Sequence, residues 1–428
     1  MQRRDVLLGV SSALSASRIL GANDRVHVGL IGCGGRGRYV TNFMRQAGAT
    51  VSAVCDVWGS KREAGQAWAG EGAAAFSDFR KLLEHKPLDA VVVATPDHWH
   101  ALPAILACEA GKDVYVEKPL AHNVAEGRAV VEAAKRTRRI VQVGTQQRSA
   151  PHYRELQELI RGGRLGQVKF VRVWNYSSLL PAGIGREPDG PAPAEVDWDM
   201  YCGPAPLRSF NPLRLGPTYR WFWDYAGGTI TDYGIHRFDT VHQIMGEETP
   251  AAVSAAGGRF VLNDAGEMPD TLQVTYEYPS FVLSYEASNV NGHGTGGRTA
   301  GMRYYNARGA EDRPHGEAYY GTLGTVLCDR IGYEIYPAPG SPLERVSKPA
   351  ADATALHARA FVECVRSRKG PPLTIEEGHR ASAIAHLGNI AFKTGRKLRW
   401  DASREIFTGD REATALLRRE PRKKWGLA

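Results

Sequence analysis

The amino-acid sequence predicts a doubly wound α/β domain with a parallel sheet, followed by an α+β domain whose sheet is largely antiparallel. Three observations predict this order. From residue 25 to about residue 148, short apolar strands alternate with helical stretches, which is the pattern of strands joined by crossover helices. A glycine-rich turn directly follows the first of these strands. After residue 150, apolar and polar residues alternate along the strands, as expected for half-exposed antiparallel strands.

Length and composition are those of a folded protein with two domains. The chain has 428 residues, of which 43% are hydrophobic, and this is too long for one ordinary core. The net charge of +8 is concentrated near the two ends of the chain, and no basic stripe with interleaved aromatic residues occurs. Nucleic acid is therefore not an expected partner, and the basic C-terminal end is predicted to be solvated. The six cysteines are scattered without a C-x-x-C pair, so neither a disulfide framework nor a metal site is expected.

The first residues suggest a targeting segment. Arg3 and Arg4 precede a mildly apolar stretch from Val10 to Leu20, which resembles a twin-arginine export signal. We therefore predict a leader over residues 1–24 and a periplasmic location, the alternative being a frayed N-terminus of a cytoplasmic protein. No run of about 20 apolar residues occurs, so no membrane span is predicted.

The first domain is predicted over residues 25–148. The run from Ala90 to Ala94 is apolar throughout, as a buried central strand must be. Gly111 suits the left-handed end of a helix, and Asn123 with Glu126 forms a capping pair at the start of another. The predicted strands are residues 26–31, 50–55, 90–94, 113–117 and 140–143, and helices are predicted at 39–47, 61–69 and 102–110 and from Asn123 onward.

The second domain is predicted over residues 149–400 and a C-terminal tail over 401–428. A proline- and glycine-rich loop at 181–193 is too long for a simple connector, so we predict a lid or an insertion. A glycine-rich stretch at 292–309 is compatible with a mobile substrate loop. Strands are predicted at 168–174, 252–256, 271–278, 282–287 and 325–336, and helices at 153–161, 355–366 and 375–393.

The glycine-rich turn has the spacing G-x-G-x-x-G, from Gly32 through Gly34 to Gly37. It follows a strand and opens a helix, and Asp56 lies nineteen residues after its last glycine (56 − 37), at the end of the next strand. This arrangement predicts a Rossmann domain that binds the pyrophosphate of a dinucleotide at the helix N-terminus and its ribose at Asp56. The carboxylate favours NAD, although the neighbouring Lys61 leaves NADP open.

Two further motifs carry the predicted chemistry. Lys118, in Glu117-Lys118-Pro119, follows a predicted parallel strand, where its ammonium can bind a substrate hydroxyl and stabilise an alkoxide. If the chain is helical from Asp232 onward, Asp232, His236 and Asp239 fall on one face, and a carboxylate beside His236 would support its role as a base. Taken alone, this second motif favours a helix cap at Asp232 and a buried structural histidine at His236 over a catalytic pair.

Together these motifs resemble the Gfo/Idh/MocA family, the relatives of glucose–fructose oxidoreductase and inositol dehydrogenase. The resemblance rests on the glycine-rich start, on Thr95-Pro96-Asp97-His98-Trp99-His100, on Glu117-Lys118-Pro119 and on the segment from Gly227 to His236. It implies a large open sheet in the second domain, whose outer face often makes dimers or tetramers, and a sugar or polyol substrate. It also implies catalytic roles for Lys118, Asp232 and His236. Asp97 departs from the asparagine often found at that position in the family.

Motifs and resemblance together predict the remaining site residues. The predicted substrate contacts are Lys118, Trp174, Arg220, Asp232 and His236, with Arg148 and His152 as further candidates. Gln146 follows the last strand of the first domain, which would place it near the nicotinamide. The predicted cofactor contacts are Gly32, Gly34, Gly35, Arg36, Gly37, Asp56, Thr95, Pro96, His98, His100, Glu117, Lys118 and Gln146.

Three functions are compatible with these residues. The first is an NAD(P)-dependent dehydrogenase that moves hydride between a sugar or polyol hydroxyl and the nicotinamide. The second is a redox-neutral glycoside hydrolase or lyase that oxidises a ring carbon only transiently and retains its NAD. The third is a dinucleotide-binding sensor without catalysis, which the intact set of Lys118, Asp232 and His236 disfavours.

Overall fold

The computed structural model of the protein describes residues 25–247, 249–295 and 313–426. The predicted leader lies outside the described residues, as does most of the glycine-rich stretch at 292–309. Within these described ranges, no helix combines the length and the apolar character needed to cross a membrane.

The first sheet contains six parallel strands, which confirms the predicted doubly wound α/β fold. The strands are β1 (Val26–Ile31), β2 (Ala49–Cys55), β3 (Ala74–Phe76), β4 (Ala90–Val93), β5 (Asp113–Val116) and β6 (Val141–Val143). Their order in the sheet is β3-β2-β1-β4-β5-β6. The chain changes direction across the sheet between β1 and β4, so a ligand crevice is expected at the carboxyl ends of these two strands.

Five helices follow the strands of this sheet. They are α1 (Gly35–Gln46), α2 (Gly59–Ala69), α3 (Phe79–Leu83), α4 (Ala101–Glu109) and α5 (Val124–Thr137). Gly111 has a positive φ of 73° after α4, as its position predicts. The capping pair of α5 is only half formed, because the Asn123 side chain accepts from the Glu126 amide while the Glu126 carboxylate binds Arg419.

The second sheet contains ten strands in the order β14-β13-β12-β11-β7-β10-β9-β8-β15-β16. Among these described strands only β7 and β10 run parallel, so the predicted antiparallel character is confirmed. The strands are β7 (Val168–Tyr176), β8 (Ala252–Gly258), β9 (Thr271–Glu277), β10 (Val282–Ser288), β11 (His315–Gly321), β12 (Gly324–Asp329), β13 (Gly332–Pro337), β14 (Val346–Pro349), β15 (Leu398–Asp401) and β16 (Ile406–Phe407).

The prediction of one strand over residues 325–336 is wrong. The chain reverses between β12 and β13, where Asp329 pairs with Gly332 across a two-residue turn. The turn residues are Arg330 and Ile331, which carry none of the usual hairpin preferences for asparagine or glycine. The residue types in the sequence therefore do not indicate a turn at this position.

Six further α-helices lie in the described chain after the first sheet. They are α6 (Pro151–Arg161), α7 (Trp198–Cys202), α8 (Ile235–Met245), α9 (Thr354–Ser367), α10 (Ile375–Thr394) and α11 (Arg411–Ala415). Helix α9 packs Phe361 and Val362 into the core of the first sheet, although the sequence places it within the second domain. Helix α10 anchors the chain just after Lys118, because Ser382 accepts from the Leu120 amide and His386 binds the Ala121 carbonyl.

The prediction of a solvated C-terminal end is wrong. Trp425 is only 3% exposed. The guanidinium of Arg419 donates to Glu126 at 2.6 Å, and Arg422 pairs with Asp199. Arg419, Arg422 and Lys424 therefore meet carboxylates elsewhere in the fold, a long-range pairing that charge counting along the sequence does not show. Arg418 and Lys423 are exposed, as predicted.

Candidate active site

The glycine-rich loop between β1 and α1 forms the floor of a cleft. Gly32 has a φ of +94°, and a Cβ there would lie 2.5 Å from the Ala94 carbonyl oxygen. A Cβ on Gly37 would lie 2.5 Å from the Gly32 carbonyl oxygen. At Gly34 and Gly35, in contrast, no atom of the described chain lies within 4 Å of such a Cβ. The first pair of glycines permits tight packing, and the second leaves backbone open to a ligand.

The N-terminus of α1 is suited to an anion. Gly34 caps this helix without a bond from any described side chain, and the first turn contains no acidic residue. Its backbone N–H groups and the positive end of the helix dipole are therefore available to a phosphate group. This cradle fits the pyrophosphate of a dinucleotide.

Asp56 stands at the end of β2 beside this loop. Its carboxylate accepts from the Cys33 amide at 2.8 Å and from the Trp58 amide at 3.0 Å. Burial raises the pKa of Asp56, although both amides and the nearby Lys61 act in the opposite direction. A carboxylate offers about four acceptor positions, so two remain for ribose hydroxyls.

The cleft has a volume of about 500 Å³ and extends from Asp56 to Lys118. Thr95 lines it, and the buried Thr95 hydroxyl has no hydrogen-bond partner within the described part of the chain, which leaves it available to a ligand. The predicted residues that line the cleft are Gly32, Gly34, Gly35, Arg36, Asp56, Thr95, Pro96, His100, Glu117, Lys118 and Arg220.

Three predicted cofactor residues lie behind the lining instead. Gly37 packs against the loop itself. Gln146 accepts from Arg36 at 3.3 Å, and Arg36 also donates to Glu117 at 2.7 Å, so Gln146 and Glu117 hold this arginine. His98 is buried and binds the Tyr201 carbonyl through Nε2 at 2.8 Å.

Lys118 forms a buried ion pair at the far end of the cleft. Its ammonium donates to the Asp232 carboxylate at 2.5 Å and to the Asp232 carbonyl at 2.6 Å. The guanidinium of Arg220 lies 3.1 Å from the second carboxylate oxygen. Burial alone would raise the pKa of Asp232, but the two cations outweigh it and lower the pKa below its usual range. Asp232 is therefore ionised and holds both cations.

The predicted regular helix from Asp232 onward is wrong. Residues Ile230–Gly234 form a π-helical turn, and α8 begins only at Ile235. Because the Asp232 carbonyl binds Lys118, it is drawn out of the α-helical pattern, and such π turns are frequent at functional sites. Asp239 does not face His236 but binds Arg148 at 2.8 Å.

His236 is a buried, neutral imidazole. Burial lowers its pKa well below 6.5, and the Lys118 ammonium adds to this effect. Its Nδ1 has no hydrogen-bond partner among the described residues, and the hydrogen bonds of the described chain do not join it to Asp232. Asp232 is therefore the charge partner of Lys118 and does not orient His236.

Of one wall of this site, the sequence predicted only Arg220. Residues 215–217 line the cleft opposite the glycine-rich loop, together with Tyr219 and Arg220. The Tyr219 hydroxyl donates to Asp97 at 2.9 Å, and the Arg220 guanidinium lies 4.7 Å from the Tyr219 ring centre. Asp97 belongs to the T-P-x-x-x-H segment, and its departure from asparagine was the available indication of this contact.

Other predicted substrate residues are structural. Trp174 is fully buried, and its indole N–H donates to the Arg313 carbonyl at 2.8 Å, so it does not reach the cleft. His152 binds the Asp329 carbonyl, and Arg148 is occupied by Asp239. Within the described ranges, no group of three or more histidine, cysteine or acidic side chains is arranged to bind a metal ion.

Comparison with known proteins agrees with this geometry. The model of an oxidoreductase family with an NAD-binding Rossmann fold, Gfo/Idh/MocA, matches residues 26–145. The model of the C-terminal α/β domain of the same family matches residues 168–288 and 341–427.

Individual relatives match over part of their length. The chain is 36% identical to an inositol 2-dehydrogenase of Rubrobacter xylanophilus, over 39% of this chain and 48% of that protein. It is 31% identical to inositol 2-dehydrogenase 4 of Saccharopolyspora erythraea, over 61% of this chain and 66% of that protein. The fold is similar to that of levoglucosan dehydrogenase in complex with NADH and levoglucosan, with a TM-score of 0.66, 18% identity and coverage of 88% of this chain and 99% of that one. Since the two family models together match most of the sequence, the chain belongs to the Gfo/Idh/MocA family of oxidoreductases.

Proposed function

We propose that the protein is an NAD-dependent dehydrogenase that oxidises a hydroxyl group of a sugar, a polyol or one of their derivatives. The observation that carries this proposal is the Lys118–Asp232 ion pair at the end of the cleft that begins at the glycine-rich loop. The names of the relatives, which are inositol and levoglucosan dehydrogenases, support the substrate class.

The chain's own residues fit a nicotinamide dinucleotide. The open backbone at Gly34 and Gly35 would hold the pyrophosphate, and Asp56 would bind the hydroxyls of the adenosine ribose. The carboxylate of Asp56 favours NAD over NADP, because a 2′-phosphate would meet its negative charge. When bound, the nicotinamide supplies the acceptor for the hydride that leaves the substrate carbon.

Lys118 and His236 have different roles in the reaction of the substrate hydroxyl. The Lys118 ammonium would bind the hydroxyl oxygen and stabilise negative charge on it, while Asp232 keeps this ammonium in place. The neutral imidazole of His236 would take the hydroxyl proton. Loss of the hydride and of the proton thus converts the substrate alcohol into a ketone or an aldehyde. Arg220, which Asp232 also holds, would donate hydrogen bonds to neighbouring hydroxyls.

The test compares Lys118→Ala and His236→Asn with Lys135→Ala, which removes an exposed lysine of α5. With inositols and anhydrosugars as substrates, we expect turnover to fall about 10²–10⁴-fold in the first two variants. NADH affinity, measured by fluorescence titration, should change little in His236→Asn, because the proposed role of this residue is to take the proton of the substrate hydroxyl and not to bind the dinucleotide. Unchanged turnover in both site variants would overturn the assignment. Release of an aglycone without net NADH formation would point to the redox-neutral alternative.

We also propose a homo-oligomer, a dimer or a tetramer, that forms through the outer face of the second sheet. Phe170, Val282 and Tyr320 are cross-strand neighbours on β7, β10 and β11, and they are 39%, 39% and 37% exposed. The rings of Phe170 and Tyr320 stack with centres 5.3 Å apart. Such a contiguous apolar patch is typical of an interface. Measuring the mass of the protein in solution tests this oligomer.

The domain boundaries and the periplasmic location stay predictions.

A further inference from the structure

Residues 195–202 run from the chain that follows Asp56 to the T-P-x-x-x-H segment, and we call this segment the crossbar. Its first end is fastened to the chain that directly follows Asp56. The Trp58 indole donates to the Glu195 carboxylate at 2.8 Å, and the Gly59 amide donates to the Glu195 carbonyl at 2.8 Å. The Asp197 amide donates to the Val57 carbonyl at 3.0 Å.

The second end of the crossbar lies on the T-P-x-x-x-H segment. The Trp99 indole donates to the carbonyls of Met200 and Tyr201, both at 2.9 Å, and His98 donates to the Tyr201 carbonyl. The fit is close, since a Cβ on Gly203 would lie 2.1 Å from the Trp99 ring. Met200 and Tyr201 themselves line the cleft.

The C-terminal tail supports this second end from outside. Lys424 lies 3.1 Å from the Asp199 carboxylate, which Arg422 also binds. The Trp425 ring packs edge-on against Trp99 with centres 5.1 Å apart. Arg419 donates to the His98 carbonyl at 2.8 Å. The tail thus contacts both the crossbar and the residues on which the crossbar rests.

We propose that the crossbar, fastened by Glu195 and by the tail, retains the bound dinucleotide and sets its rate of release. This inference rests on the proposed cofactor. In a sheet of this order the adenosine half of a dinucleotide lies beside Asp56, where Met200 and Tyr201 face the strand ends. To leave, the adenosine has to pass a segment that is held at both ends. Glu195, Arg422 and Lys424 are therefore positioning residues that act on cofactor release without touching the substrate.

The contacts at the two ends of the crossbar differ in their sensitivity to salt. Glu195 is exposed and fastens the first end through neutral donors, the Trp58 indole and the Ser60 amide. At the second end, the Asp199 side chain is 44% exposed and is held by two cations. Salt screens exposed ion pairs and leaves neutral donors largely unaffected. Loss of the tail contacts should therefore reduce the salt dependence of release.

The experiment measures release of NADH from the full-length protein. A preformed complex with NADH is mixed with excess NAD, and the loss of bound NADH fluorescence gives the release rate. The variants are Glu195→Ala and the double variant Arg422→Ala with Lys424→Ala. We expect each to release NADH about tenfold faster, as the loss of one or two charged hydrogen bonds implies. Salt should speed release more in the wild-type protein than in the double variant, because only the wild-type protein has the exposed ion pairs at Asp199.

Lys397→Ala is the matched control, because it removes an exposed ion pair with Glu277 on the second sheet. Its release rate should equal that of the wild-type protein. Equal release rates in all variants would overturn the role of the crossbar. A wild-type protein that binds no NADH would instead overturn the proposed function. Glu195→Ala tests the crossbar even if the double variant proves unstable, since it leaves the tail intact.

Discussion

The glycine-rich floor of the cofactor cleft and the crossbar are built on different principles. The floor is a local structure, in which six consecutive residues from Gly32 to Gly37 and the end of the next strand provide the ligand groups. The crossbar wall is assembled from three distant segments, residues 97–99, 195–202 and 419–425. The floor depends on the absence of a Cβ at Gly32 and Gly37, and the crossbar depends on several separate hydrogen bonds and ion pairs. An added Cβ at Gly32 or Gly37 should therefore disrupt the floor at once, whereas the crossbar should lose its effect gradually.

The largest effect is expected for Gly32→Ala in the floor. The added Cβ would lie 2.5 Å from the Ala94 carbonyl oxygen, at a φ of +94° that side chains rarely adopt. Strain of this kind costs about 1–3 kcal/mol, and the loop has to move to relieve the clash. We expect NADH affinity, measured by fluorescence titration, to fall about 100-fold or more.

Gly370→Ala provides the control for this variant. Gly370 has no described atom within 4 Å of an added Cβ, and its φ is not in the left-handed region. Its NADH affinity should match that of the wild-type protein. If Gly32→Ala also bound NADH normally, the floor would not be the dinucleotide site.

The contrast between the floor and the crossbar also explains which features of the structure can be predicted from the sequence. The spacing of Gly32, Gly34 and Gly37 is informative because a Cβ on Gly32 or Gly37 would collide with backbone, whereas Gly34 leaves open space for a ligand. The alternation of strands and helices predicts the first sheet, and the alternation of apolar and polar residues predicts the second, because both are local patterns of the sequence. The hairpin at Arg330 was missed because its turn residues lack the usual preferences.

The parts that were missed depend on long-range contacts. Trp174 is a predicted substrate contact, yet its strand turns it into the protein interior. Trp425 lies in a basic segment that suggests a solvated end, yet it packs on Trp99, more than 300 residues earlier. The geometry at Asp232 was mispredicted because helical periodicity contains no information about the pull of Lys118 on its carbonyl. Each of these outcomes depends on a partner that is remote in sequence.

A smaller effect in the floor is expected for Asp56→Asn. The amide keeps the size of the side chain but loses the charge and half of the acceptor oxygens. Since hydrogen bonds to charged groups contribute about 1.5–3 kcal/mol, NAD affinity should fall roughly 10- to 100-fold. Affinity for NADP should fall less, because repulsion of the 2′-phosphate is removed. Titrations with both cofactors, with Asp410→Asn at the start of α11 as the control, measure the change in preference. An unchanged ratio would exclude Asp56 from the ribose site.

The smallest of these effects concerns His98, which supports the crossbar. Burial lowers the pKa of His98 from 6.5 to about 3, and Arg419 adds to this effect. The folded protein therefore keeps His98 neutral at pH 5, whereas the unfolded chain takes up a proton below about pH 6.5. Because the unfolded state binds more protons, the free energy of unfolding falls as the pH falls, by about 1 kcal/mol per pH unit between pH 6 and pH 5.

His98→Gln removes this titration but keeps a donor for the Tyr201 carbonyl. The stability gap between wild type and variant should therefore narrow by about 1 kcal/mol from pH 6 to pH 5, as urea unfolding at each pH would measure. The same variant tests whether His98 supports the crossbar. Its side chain binds the Tyr201 carbonyl and does not line the cleft, so its replacement should speed NADH release only by loosening the crossbar. An NADH release rate equal to that of the wild-type protein would contradict this supporting role.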